Sequence, residues 1–285
     1  KRELLAEIKN LKVFIFQKDI LKKNILIKNV KINNANFSLS KSDFKLLKNA
    51  SDNKFSNKKI EVNDSNIFFK DASTEVVSIV KILKASLFFN NDNLFNLKGE
   101  IFNIPFSLNI KKSFDLSNYQ ELNIKAKTLK LNIFNLSNIE KNKSVDGKNI
   151  ISILNSVFNT NYRVEDDVIV FESNNSKLNN SKMRYGGEFS INPSNLNLSI
   201  TLDNYKISKI LNFNYILASV INTKLLFNDN ISANISLIAN STTNNEIFNN
   251  ANINFNIKNG KINFDKTKLI NQKIGSLELQ NSNLF

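Results

Sequence analysis

Residues 253–264 read INFNIKNGKINF, and the pair Asn259-Gly260 at their centre decides how this chain folds. Asn-Gly is the favoured pair for a two-residue hairpin turn, because both central positions of that turn need positive φ. The turn sets Lys258 opposite Lys261, Ile257 opposite Ile262 and Phe255 opposite Phe264, so the large apolar side chains share one face. Asn and Lys take the other face.

The same alternation runs through most of the chain in short stretches bounded by Asn, Asp, Ser or Gly, the pattern of half-buried strands. It is cleanest at 196–202, LNLSITL, where Leu196, Leu198, Ile200 and Leu202 alternate with polar residues. Ile231, Ala233, Ile235 and Leu237 repeat it. Near the start, Ile25 and Ile27 give way to Val30 and Ile32, then to Ala35, Phe37 and Leu39, and the two parity switches predict bulges or tight turns. Ala85, Leu87 and Phe89 run into a turn at NNDN, and the chain returns with Phe102, Ile104, Phe106, Leu108 and Ile110 on one face and Pro105 at an edge. Leu122, Ile124 and Ala126 are followed after a parity shift by Leu129, Leu131 and Ile133. Two segments read as helices instead: near 148–158, where Ile150, Ile151, Leu154, Val157 and Phe158 have helical spacing, and near 206–222.

These patterns predict a mainly β protein, an elongated, curved antiparallel sheet with a few short α-helices. Two regions are expected, 1–145 and 146–285, the second continuing the sheet and carrying both helices. The start at Lys1 and the stop in mid-pattern read as a chain truncated at both ends.

At 285 residues with 41% hydrophobic content, the chain can bury a core and is not expected to be disordered. Its net charge of +14 raises nucleic-acid binding. Against that, the basic residues are almost all Lys, scattered on strand faces, and Lys, Asn, Ile and Phe are the residues of A/T-rich codons. No nucleic-acid partner is expected.

There is no Cys and no His. Thiolate chemistry, the usual general base and every Ser-His-Asp arrangement are therefore excluded within these residues, and no apolar run is long enough for a spanning helix. Phosphate-loop and dinucleotide fingerprints are absent. Glu165, Asp166 and Asp167 could hold a cation, but adjacent strand residues point to opposite faces and the trio reads as a turn. Gly186-Gly187 reads as a bend or bulge, and Arg184 and Tyr185 beside it receive no role. The chain is expected not to be an enzyme, with no cofactor and no metal site.

Three stretches together, 7–39 (EIKNLKVFIFQKDILKKNILIKNVKINNANFSL), 98–110 (KGEIFNIPFSLNI) and 253–285 (INFNIKNGKINFDKTKLINQKIGSLELQNSNLF), resemble the AsmA family of Gram-negative envelope proteins, with its TamB and YhdP relatives. That resemblance implies a periplasmic protein tethered to the inner membrane by an N-terminal helix missing here, with a U-shaped sheet whose concave face is apolar. It implies phospholipid as partner, a role in lipid transport between inner and outer membranes and in outer-membrane biogenesis, and contacts with outer-membrane assembly proteins. The family supplies no catalytic motif.

The groove candidates are Ile25, Ile27, Phe37, Leu39, Phe102, Ile104, Phe106, Leu108, Leu196, Leu198, Ile200, Leu202, Ile231, Ile235, Leu237, Phe255, Ile257, Ile262 and Phe264. Burying an acyl chain of about sixteen carbons at about 0.8 kcal/mol per methylene yields on the order of 10 kcal/mol. Two other readings stay open: the same rows could be the inner faces of a closed sandwich, or free sheet edges could bind client β-strands in a chaperone-like or structural role.

Overall fold

A computed structural model describes residues 5–16, 26–40, 43, 53–70, 76–114, 118–139, 145–190, 194–211, 231–242 and 246–284. The fold is mainly β, and the chain divides into two units between Asn138 and Ile139. The expected boundary at 145/146 instead falls at the start of a strand.

The first unit is a curved, open sheet in chain order: β1 (Ala6–Ile15), β2 (Ile27–Leu39), β3 (Lys59–Lys70), β4 (Val76–Asn90), β5 (Asp92–Ile101), β6 (Ile104–Ser113), β7 (Tyr119–Ala126) and β8 (Leu131–Ile139). Each strand pairs antiparallel with the next, except that β2 and β3 run parallel. A parallel pair needs a crossover, and residues 53–56 of that crossover lie over the start of β5. There Phe55 N–H donates to Asn93 Oδ1 at 2.6 Å, and Asn93 Nδ2 donates to the Asn53 carbonyl at 2.7 Å.

The parity switches expected near the start are real, and they propagate. Asn34 in β2 and Asp64 in β3 have positive φ, and the β4 register slips between Ile82 and Lys84. Three neighbouring strands thus bulge at one level, and the Ala35 N–H is caught by Ser65 Oγ at 2.9 Å. The extra residue in each strand returns the apolar positions to the same face: Ile32 to Ala35, Val62 to Ile67, Ile82 to Ala85.

The second unit is likewise an open sheet: β9 (Val145–Ile153), β10 (Ser156–Glu165), β11 (Val168–Leu178), β12 (Ser181–Ser190), β13 (Ser194–Asp203), β14 (Ile231–Asn240) and β15 (Asn250–Lys258), with one helix, α1 (Ile207–Leu211), after β13. β13 and β14 are parallel, the other neighbours antiparallel. Beyond β15 lie short strands: β16 (Lys261–Asn263) and β17 (Lys268–Asn271) both pair with β15, β18 (Gly275–Glu278) pairs with β17, and β19 (Asn283–Leu284) with β16.

The Asn259-Gly260 hairpin forms as expected, with φ of 51° and 65° and pairs Ile257–Ile262 and Lys258–Lys261. The helix expected near 148–158 does not form. Those residues make the β9–β10 hairpin, which turns at Leu154-Asn155 and pairs Ile151 with Phe158. Ile, Ser and Asn dominate the segment, and a two-residue turn inside a short apolar run mimics i, i+3, i+4 spacing. Of the helix expected near 206–222, Ile207–Leu211 is present, and residues 212–222 lie outside the described residues. The sheets are therefore largely but not purely antiparallel.

Candidate functional site

Residues paired across a ladder share a face, so the registers decide where each candidate sits. In the first unit one face collects Ile8, Leu11 and Val13 (β1), Val30, Ile32, Phe37 and Leu39 (β2), Ile60, Val62, Ile67 and Phe69 (β3), and Val80, Ile82, Ala85 and Leu87 (β4). It continues through Phe95 and Leu97 (β5), Ile104, Phe106, Leu108 and Ile110 (β6), Leu122 and Ile124 (β7), and Leu131 and Ile133 (β8). The apolar row crosses all eight strands without a break. Its centre is Val62, Ile82, Ala85 and Leu97, all buried, with Phe37, Phe95, Phe106 and Leu108 packed around them.

In the second unit the equivalent face carries Ile151 and Ile153, Phe158 and Tyr162, Ile169 and Phe171, Phe189, and then Leu196, Leu198, Ile200 and Leu202 of β13. β14 adds Ile231, Ala233, Ile235 and Leu237, β15 adds Ile253, Phe255 and Ile257, and β16 adds Ile262. Phe264, just beyond β16, stands edge-on to Phe255 with ring centroids 5.2 Å apart. At the β13 exit, Tyr205 and Ile207 of the α1 segment seat on Leu202, Ala239 and Ala251, forming a buried cluster that covers that end of the face. Alanine stands at both of the last two positions because a helix rests there.

The clasp on α1 is Glu246. Its carboxylate accepts from the Ile207 N–H at 2.6 Å and from Ser208 Oγ at 2.7 Å. Burial pushes this carboxyl up, but the hydrogen bonds from Ser208, Ile207 and Ser241 outweigh it, and Glu246 titrates below the usual carboxylate range.

Polar inclusions on the second face satisfy one another. Thr160 Oγ1 and Tyr185 Oη are 2.5 Å apart, and Ser173 Oγ and Ser176 Oγ, both buried, are 2.6 Å apart. Arg184 points to the opposite face and pairs with Asp203 at 3.1 Å. Gly186 and Gly187 sit in a regular ladder with β13 rather than in a bulge. A Cβ at Gly187 would strike the Asn197 carbonyl oxygen, so the glycine permits close strand approach. The bulge lies on the neighbouring strand, between Ser173 and Ser176. Glu165, Asp166 and Asp167 form the β10–β11 turn, with Asp166 at φ 50°, and no group of three His, Cys, Asp or Glu able to hold a metal occurs among the described residues.

The opposite face of each sheet is amide- and lysine-rich. Asn63 bonds Asn33 at 3.0 Å and Asn66 bonds Asn36 at 3.1 Å. In the second unit Asn197, Asn234 and Asn256 are hydrogen-bonded in succession across β13, β14 and β15, and Asn263 bonds Asn283 at 2.8 Å. These ladders spend amide groups on each other and mark the wet side.

The expected candidates thus gather on the apolar faces, with three exceptions. Phe102 is not on a strand: it is the first residue of the β5–β6 turn, at φ 49° and 75% exposed. A two-residue turn preserves parity, so Phe102 falls into the alternation without belonging to the row. Ile27 sits beside the register shift that follows Phe14 and is exposed, while Ile25 lies outside the described residues. The alternation at 168–171 (VIVF) was read as a strand and is the start of β11; missed by the sequence reading were β3, where Asp64 interrupts the alternation, and the rows of β9, β10 and β12. Among the described residues no helix is long and apolar enough to cross a membrane. Comparison with family models, with curated proteins and with solved structures found no match.

Proposed function

We propose that this chain binds lipid acyl chains along its apolar sheet faces and acts as an AsmA-like lipid carrier of the Gram-negative envelope. The observation that carries this is the unbroken apolar row across successive strands of an open sheet, backed by amide ladders on the other side. Strand contacts of any extent within each unit run between ladder neighbours, and many row residues, Phe106, Leu108, Leu198 and Ile235 among them, are only half-buried. A half-buried aliphatic and Phe row offers an acyl chain contact along its length while the headgroup stays in water. Movement along such a row needs no catalytic group, only similar affinity at successive strands. The envelope location, the inner-membrane tether and the role in outer-membrane biogenesis come from the resemblance to the AsmA family and belong to the proposal.

The test is native mass spectrometry with lipid extraction on the purified chain and on a variant carrying Phe106→Thr and Phe255→Thr. Co-purified phospholipid that is lost in the folded variant supports acyl binding on the rows. A lipid-free protein, or full lipid loading in the variant, refutes it.

Client-strand binding is favoured by one observation of its own. β1 is ten residues long, pairs among the described residues with β2 alone, and exposes Leu11, Val13 and Phe14, an edge able to accept another strand. Replacing Val13 by Pro would block that edge without touching the rows on β4–β8.

A further inference from the structure

One end of the first sheet carries exposed apolar residues together with exposed lysines. At this end β4 begins, β5 turns into β6 through Phe102-Asn103, and β7 turns into β8 through a short 3₁₀ turn at Lys127–Leu129 and left-handed Lys130. Phe102 is 75% exposed, Val76 48%, Ile79 44% and Leu129 41%. A shallow recess of about 340 Å³ opens between Val76, Ile79 and Phe102. Lys125, Lys127 and Lys130 stand exposed at the β7–β8 turn of the same end, and Lys81, which lines the recess with Glu100, lies 3.8 Å from that carboxylate.

The turn residue itself is the second observation. Phe102 and Asn103 have φ of 49° and 60°, a turn that elsewhere in this chain is made by Asn259-Gly260 and by Asn179-Asn180. A bulky side chain at positive φ is strained, and this one packs against little and faces water. Stability does not account for a phenylalanine there.

Charge is the third. Residues 1–138 hold 24 Lys and Arg against 13 Asp and Glu, whereas 139–285 hold 15 against 12.

We infer that this end of the first unit docks on a lipid bilayer carrying acidic headgroups. Phe102, Val76, Ile79 and Leu129 enter the boundary between headgroups and acyl chains, and the lysines meet the acidic headgroups, their stems lying along the apolar tip. Compact ammonium charges suit a diffuse anionic surface, whereas nucleic-acid recognition would call for guanidinium forks and a platform of stacked aromatics. The inference is independent of acyl binding on the rows, because the Phe102 side chain lies outside them.

The experiment is co-sedimentation of residues 1–285 with vesicles of phosphatidylcholine alone, and with about one third phosphatidylglycerol, at low and high salt. The variants are Phe102→Asn and the pair Lys127→Gln with Lys130→Gln. Binding is expected to acidic vesicles only and to weaken with salt, with about a fivefold loss per lysine and about a tenfold loss for Phe102→Asn. Asn suits positive φ, so Phe102→Asn should melt at the same or a higher temperature, which separates lost docking from lost folding. Equal binding to neutral vesicles, unchanged binding of both variants, or preference for a single-stranded oligonucleotide over acidic vesicles overturns the inference. Lipid loading of the rows, scored by extraction, fails or survives separately.

Discussion

Leu198 lies at the centre of the second apolar face, paired with Gly187 on one side and Ile235 on the other, yet it is only half-buried. Leu198→Thr keeps a strand-favouring side chain and removes about half of the roughly 2 kcal/mol that full burial of Leu contributes. The expected cost is about 1 kcal/mol, since the new hydroxyl can reach water. Ile262, by contrast, is 0% exposed among Ala233 and Ile257, and Ile262→Ala should cost about 3 kcal/mol through lost burial and a cavity. Were a second layer packed on the face, Leu198→Thr would bury an unpaired hydroxyl and cost about as much as Ile262→Ala. Urea unfolding of both variants, with the slope unchanged, measures the difference. Equal losses for the two variants would refute the open face.

Two other substitutions probe the elements that shape the second face. Gly187→Ala places a methyl against the Asn197 carbonyl and should part β12 from β13, lowering stability by about 2 kcal/mol or more; a stability equal to the parent would show that the strands do not approach so closely. Glu246→Gln weakens two hydrogen bonds that hold α1 and should cost about 1–2 kcal/mol near neutral pH. Because the Glu246 carboxyl titrates below its ordinary value, its contribution is complete above the usual carboxylate range and fades as pH falls through the lowered value. The gap between parent and Glu246→Gln should therefore close in acid, and a gap constant with pH would contradict the clasp.

The hairpin at Asn259-Gly260 was legible because its turn chemistry and alternation agree, and so was the row Leu196 to Leu202. Phe102 was misplaced because its turn, Phe-Asn, lacks the Asn-Gly signature and conserves parity. The β9–β10 hairpin was hidden for a related reason: Leu154, 70% exposed at φ 50°, occupies a turn position that glycine usually fills. β3 escaped notice where Asp64 bulges, and only the neighbouring bulges at Asn34 and Leu83 show that the interruption keeps the apolar face in register. Parallel pairing of β2 with β3 and of β13 with β14 leaves no local mark, since each strand alternates the same way whichever direction its neighbour runs.

Photolabelling with a phospholipid bearing a diazirine near the end of its acyl chain, followed by mapping of the labelled residues, would place the lipid directly. Acyl binding on the rows requires labels at positions such as Phe37, Phe106, Leu198 and Phe255, and none at Lys31, Asn96, Asn197 or Asn234 on the opposite faces. Labels shared equally between the two faces, or absent from both, would contradict it.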